Sequence, residues 1–278
     1  MKSIYYNKTR NSKSIPLKLI KSGKPYLIPL YYLLLTSHLA KEAIISSGSY
    51  KLADHIYQGK AKGDFVIGYF IDLLLLNLKS AKSFRFRYLY AKKELLSLIE
   101  KFPANRGEID ILAVPSGLTR EFFEVIEELH KKGNEKNSRI TWHGIDLDKN
   151  LIKLLNQKKL NVPAKMRFHQ GDAMNPSTYN QTYDIILSMG FVDFLTDDKA
   201  LDFFNIVRSR LKRNGYFITS SMIPHKLSDY LLRNIGEINT VYRSHSEIKN
   251  LVFRSGFKKI KVHRDKNKLL TMLVVNKN

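Results

Sequence analysis

From Ile109 onward the chain alternates short, almost purely apolar runs with amphipathic helical stretches, and no other property of the sequence narrows the fold so far. A strand buried on both faces reads as a continuous apolar run, and strands separated by helices pair in parallel with crossovers covering the sheet. The expected strands are Ile109–Val114, Ile140–Ile145, Lys165–Phe168, Tyr183–Leu187 and Tyr216–Ser220. Between the first two, Leu118, Phe122, Val125, Ile126 and Leu129 share one helical face that stops at Gly133. A helix from Asp197 to Leu211 is opened by two aspartates and closed near Asn214-Gly215, as the helix dipole and terminal capping favour. The order then changes: a helix Ser246–Ser255 ends at Gly256, and FKKIKVHR, DKNK and LLTMLVVNK read as a hairpin.

The stretch before Ile109 has a different texture. Residues 1–24 are basic and polar without sustained periodicity, which predicts a peripheral arm. Ile28–Ser47, Phe65–Leu78 and Phe84–Ile99 carry helical periodicity, separated by the turn-rich SSGSYKLADHIYQGKAKGD. The expected organisation is a helical extension or lid over residues 1–101 and an α/β domain over 102–278, with no internal repeat. The most apolar run, Tyr26 to Ala40, is broken by Pro29 and His38 and falls short of the ~20 residues of a spanning helix. A cytoplasmic protein without a transmembrane segment is expected. The chain has no cysteine, which excludes disulfides, thiolate metal sites and cysteine nucleophiles. Its eight histidines are scattered without ligand spacing, so no metal is expected.

Ligands of open parallel sheets bind outside the carboxyl ends of the strands, where the chain order reverses. In ILAVPSGLTRE the turn Pro115-Ser116-Gly117 lies there, and Gly117 lets backbone approach a ligand at a helix N-terminus. Asp146 and Asp172 end the second and third strands, and Ser188 and Met189 end the fourth.

With ILAVPSGLTRE, WHGIDLDKN, FHQGDA, YDIILSMGFVDF, LKRNGYFITSS and SGFKKIKV in that order, the chain from Ile109 to Asn278 resembles the class I S-adenosylmethionine-dependent methyltransferases. The resemblance implies a Rossmann-like, seven-stranded, mostly parallel sheet with an antiparallel C-terminal strand, and S-adenosyl-L-methionine as cofactor. It implies that Val114, Pro115, Ser116 and Gly117 form the cofactor loop. Asp146, with Leu147 beside it, would accept both ribose hydroxyls. Asp172 would accept from the adenine amino group beside the Ala173 N–H, and Ser188 and Met189 would line the other side of the adenosine. This chain has Ala113 where the family's first motif usually has an acidic residue, and Pro115 and Thr119 where it has glycines. Arg120 is then the expected partner of the cofactor carboxylate. A non-catalytic, degenerate methyltransferase-fold protein is the alternative that these departures leave.

Methyl transfer from a sulfonium is an in-line displacement, so the enzyme mainly orients its reactants and keeps them dry. A base is needed only where the acceptor loses a proton. Tyr57, Tyr69, Asp193, His225, Tyr242 and His245 fall where they could roof the site, and His225, Tyr242 and His245 are the catalytic candidates, since an imidazole near strand five titrates near the working pH. Asn175-Pro176-Ser177-Thr178-Tyr179 looks like a base-methylating motif but stands after the wrong strand, so it is read as a helix start. ADHIYQGKAKGDFVIGYFIDLLLLNLKSAKSFRFRY is similar to the extension of a subset of bacterial methyltransferases, and its helices would lid a pocket for a small organic acceptor, anionic or apolar. The net charge is +22, and the first 101 residues hold 18 Lys and Arg against 6 Asp and Glu. RNA is therefore the alternative acceptor, with Phe84-Arg85-Phe86-Arg87-Tyr88 as a stacking and neutralising stretch or as a helix with one face buried. Oligomeric state is not legible in the sequence.

Overall fold

A computed structural model describes residues 14–46, 49–103, 107–133 and 138–277. The chain opens with helices α1 (Ser14–Lys21), α2 (Ile28–Leu34), α3 (His38–Ile45), α4 (Tyr50–Gln58), α5 (Phe65–Asn77) and α6 (Lys79–Lys101). Strand β1 (Ile109–Ala113), helix α7 (Arg120–Lys131), β2 (Ile140–Asp146), α8 (Lys149–Lys158), β3 (Lys165–Gln170) and β4 (Tyr183–Ser188) follow. The chain closes with α9 (Asp197–Arg210), β5 (Leu211–Met222), α10 (Lys226–Asn234), α11 (His245–Arg254), β6 (Lys259–Arg264) and β7 (Leu270–Asn276). Packing separates two compact units, one of Met1–Phe86, Pro224–Thr240 and Lys266–Leu269, the other of Arg87–Ile223, Val241–Asp265 and Leu270–Asn278. The sequence division at residue 101 follows the end of the helical pattern, whereas the packing division falls inside α6.

In the leading unit, Ile15, Leu19, Tyr31, Leu34, Ile44 and Ile235 share one core. Ile15 and Leu19 stand one helical turn apart and each is 2% exposed, so from Ser14 on the expected peripheral arm is a buried helix. Its first thirteen residues lie outside those described. One turn with two apolar anchors is too short for periodicity to reveal. The single helix expected over Ile28–Ser47 is broken after Leu34, where Ser37 turns extended and its hydroxyl accepts the Ala40 N–H at 3.0 Å. Ser47 lies outside the described residues. The stretch read as turn contains α4, ended at Gly59 in the left-handed region (φ +63°).

The other unit is built on one seven-stranded sheet of order β3-β2-β1-β4-β5-β7-β6. The first five strands run parallel, and β7 lies antiparallel between β5 and β6. This is the expected Rossmann-like architecture. The apolar runs are buried as required: in β1, Ile111 and Leu112 are inaccessible, as are Ile185 and Ile186 in β4. The Lys212 ammonium ties the amino ends of β1 and β4 together at 2.8 Å from both Asp110 and Asp184. The β3–β4 connection carries no α-helix, only the 3-10 turn Pro176–Thr178 capped by Asn175, so the expected helix start there is a single turn. From Arg87 on, α6 buries Ala91, Leu95, Leu98 and Ile99. Among the described residues no helix is long and apolar enough to cross a membrane.

Arg243, which periodicity does not single out, fixes the chain after β4. It is 3% exposed and donates to the Val192 carbonyl at 2.8 Å, the Leu195 carbonyl at 2.5 Å and the Asp197 carboxylate at 2.9 Å. Replacing it strands two carbonyls of fully buried residues. Arg243→Met is expected to lower the unfolding free energy by about 2–4 kcal/mol in urea titration; a loss under about 1 kcal/mol would mean that water takes over the carbonyls.

Candidate functional site

The chain leaves β1 for β2 and β3 on one side and returns to β4 on the other, so a crevice opens at the carboxyl ends of β1 and β4. The loop after β1 is pinned to both neighbours. Val114 N–H donates to the Leu187 carbonyl at 2.9 Å, and Ser116 N–H to the Ile145 carbonyl at 2.7 Å. The Val114–Pro115 peptide is cis. Gly117 (φ +52°) and Thr119 (φ +44°) both take the left-handed conformation. At Thr119 the backbone thus keeps a shape that glycine adopts at no steric cost, in a β-branched residue that pays for it. Thr119 is also 2% exposed, and its hydroxyl finds no hydrogen-bond partner.

Asp146 is the strut of the site. One carboxylate oxygen accepts the Gly117 N–H at 3.0 Å, the other accepts the Asp148 N–H at 3.1 Å. Each oxygen keeps lone-pair capacity for a further donor. Burial pushes this carboxyl above the usual carboxylate range, against the backbone N–H groups of Asp148, Gly117 and Leu147. Leu147 follows, with its carbonyl accepting from the Gln170 amide at 3.2 Å. At the end of β3, Asp172 accepts the Met174 N–H at 2.8 Å, and the buried Ala173 accepts the Tyr179 hydroxyl at 2.7 Å. At the end of β4, the Ser188 hydroxyl is fully buried with no partner, and Met189 is half-buried. The carboxyl ends of β1, β2, β3 and β4 therefore carry the residues expected there, in strand order. Arg120 lies 3.9 Å from Glu124 one turn along α7, at a third exposed.

A charge cluster that sequence reasoning missed underlies this loop. Arg87 is 4% exposed, and a Cβ on Gly190, itself left-handed at φ +80°, would stand 2.2 Å from its guanidinium and displace it. Its charge acts on two buried carboxyls, Glu121 in the first turn of α7 and Asp193 after β4. Burial pushes the Glu121 carboxyl up. Burial also pushes Asp193 up to about 6, against the Met222 N–H and the Arg87 and Arg243 guanidiniums. The signal was present: Arg87 falls on the same helical stripe as Ala91, Leu95 and Leu98.

The catalytic candidates are divided. His225 caps α10 in the leading unit, with Nδ1 at 3.1 Å from the Ser228 hydroxyl. Tyr57, whose ring lies 5.7 Å from that of Phe84, and Tyr69 belong to the same unit. Tyr242 and His245 belong to the sheet unit, where the Val241 N–H reaches the Asp193 carbonyl at 2.7 Å. His245 Nδ1 is hydrogen-bonded to the Thr271 hydroxyl, and burial, then Arg264, lowers its pKa. Among the described residues no His, Asp and Glu cluster could hold a metal ion.

Two measurements check this account. Thr119→Gly is expected to raise the unfolding free energy by about 1 kcal/mol, relief of left-handed strain exceeding the entropy glycine adds to the unfolded chain; a loss would assign the larger effect to threonine packing. The carboxyl of Asp193 is raised on folding, so its contribution to stability is full below the unfolded value of 3.8 and is lost as pH rises through about 6. Asp193→Asn should therefore gain roughly 2 kcal/mol relative to the parent between pH 4 and pH 7 in denaturant titrations; parallel pH profiles would contradict the shift.

No curated protein matches the sequence. Among solved structures, the chain is similar to a possible exported protein from Bordetella parapertussis, at TM-score 0.78 and 14% identity, covering 96% of this chain and 94% of that one. It is similar to the CMeT domain of the citrinin polyketide synthase, at TM-score 0.61 and 14% identity over 93% of this chain and 69% of that one. It is also similar to the magnesium protoporphyrin IX methyltransferase of Synechocystis PCC 6803, solved with bound SAH, at TM-score 0.54 and 13% identity over 81% and 93%. Identities this low establish the fold, which is that of the class I methyltransferases. Residues 36–277 match a family described as "Putative methyltransferase", and this chain belongs to it.

Proposed function

We propose that the chain is an S-adenosylmethionine-dependent methyltransferase acting on a small organic acceptor. The observation that carries the reading is the loop after β1, left-handed at Gly117 and Thr119 and fixed to the Asp146 carboxylate. The residues fit the cofactor: a glycine that admits close approach, a carboxylate with spare lone pairs at the end of β2, and two buried hydroxyls, Thr119 and Ser188, that lack partners. Val114, Pro115, Ser116, Gly117 and Arg120 would hold the methionine end, Asp146 and Leu147 the ribose, and Asp172, Ala173, Ser188 and Met189 the adenine. When bound, this cofactor supplies an electrophilic methyl group on a sulfonium sulfur.

The chain's own part is orientation and exclusion of water. Where an acceptor must lose a proton, His245 is the base we favour, since its Nδ1 is engaged by the Thr271 hydroxyl, leaving Nε2 for the acceptor. Tyr242, in the same unit, is the alternate. A small acceptor is favoured over RNA because most of the Phe84–Tyr88 stretch is engaged within the protein: Arg87 and Tyr88 are buried, Phe84 is half-buried beside the Tyr57 ring, and Arg85 donates to the Leu76 carbonyl at 2.8 Å.

Thermal unfolding with S-adenosylmethionine and S-adenosylhomocysteine tests the reading. Ligand at ~100 times its dissociation constant should add about 2.7 kcal/mol. Asp146→Asn, which keeps one oxygen for the Gly117 N–H, should lose most of that shift. No shift with either ligand in the parent protein would overturn the proposal.

A further inference from the structure

We propose that the leading unit docks on an anionic lipid–water interface through the outward face of α5, independently of the reaction proposed above. The helix, FVIGYFIDLLLLN, is inside out. Its one charged residue, Asp72, is 0% exposed and accepts the Ser37 hydroxyl at 2.5 Å, the Leu39 N–H at 3.1 Å and the Lys62 N–H at 2.8 Å. Gly68 lies on the same inward stripe, where a Cβ would stand 2.2 Å from the Thr36 carbonyl oxygen. These contacts fix the roll of the helix, so it cannot turn its apolar side inward. Outward stand Phe65 at 87% exposed, Val66 at 71%, Ile67 at 59%, Tyr69 at 46%, Phe70 at 58% and Leu74 at 69%. A helix of a globular protein keeps its charges in water and hides its apolar residues, whereas α5 packs Ile71, Leu75 and Leu76 inward with its one charge and still leaves a second apolar stripe in water.

The surrounding charge says what covers this face. Residues 14–86 hold ten Lys and Arg against four Asp and Glu. All four carboxylates are engaged: Asp72 as above, Glu42 with His55 at 3.3 Å, Asp54 with Gln58 at 2.5 Å, and Asp64 with His38 at 2.8 Å. Lys60 and Lys62 precede α5 and Lys79 and Lys82 follow it, all exposed. A second copy of the chain would set two such lysine collars against each other without counter-charge. Bases could stack on Phe65, Tyr69 and Phe70, but Val66, Ile67 and Leu74 between and beside them would stay bare against a nucleic acid. An anionic bilayer surface meets both demands: aromatic and aliphatic side chains enter at headgroup depth while the lysines reach lipid phosphates.

Co-sedimentation of the full chain with vesicles of phosphatidylcholine alone, or mixed with phosphatidylglycerol, tests this. Binding is expected to the mixed vesicles only and to weaken with added salt. Phe65→Ser with Phe70→Ser, both exposed and hence neutral to folding by circular-dichroism melting, should weaken it by about tenfold or more. Lys60→Gln with Lys62→Gln should weaken it too. Absence of binding, binding indifferent to the serine pair, or a dimer in sedimentation that the serine pair dissociates would each overturn the proposal.

Discussion

The Asp146 carboxylate is the interaction on which the site depends. With one oxygen on Gly117 N–H and the other on Asp148 N–H, it locks the loop after β1 to the loop after β2 across two adjacent parallel strands. Parallel strands share hydrogen bonds along their length but none at their ends, where the chain departs on separate crossovers. A carboxylate is suited to the gap because it accepts at two points and retains capacity for ligand hydroxyls. Its burial raises the cost of ionisation, and the backbone donors offset that cost.

Beneath that strut lies a second arrangement. The charge of Arg87, on α6, acts on the carboxyls of Glu121 and Asp193, and Gly190 makes room for its guanidinium. A buried cation near two buried carboxyls specifies geometry more than it adds stability, because each charge must be desolvated. Arg243 supports the same segment from the other direction through Val192 and Leu195. The turn after β4, which borders the crevice, is thereby held by two arginines from distant parts of the chain.

The sheet was legible because strands buried on both faces need continuous apolar runs, and Ile109–Ala113 and Tyr183–Ser188 have no other way to be hidden. The acidic strand ends Asp146 and Asp172 were legible for the same reason, since position along a parallel strand fixes position in the crevice. The loop after β1 was only half legible. Glycine marks a left-handed position, and at Thr119 the conformation persists without its usual marker. Arg87 and Arg243 escaped because a charged residue on an apolar stripe looks like a surface residue until its partners, distant in sequence, are known. In the leading unit, α1 and α4 were missed because short helices are formed by tertiary burial, not by their own periodicity.

The inside-out α5 bears on the thermodynamics of its unit. The heat capacity of unfolding measures the apolar surface newly given to water, and α5 already presents Phe65, Val66, Ile67, Phe70 and Leu74 to solvent in the native state. The helix is held by Ile71, Leu75 and Leu76 on the core and by the polar bonds around Asp72, and those bonds contribute enthalpy and little heat capacity. The stability of the leading unit should therefore vary somewhat more gently with temperature than if the outward face of α5 were covered. It should lose less on cooling, where the hydrophobic effect weakens.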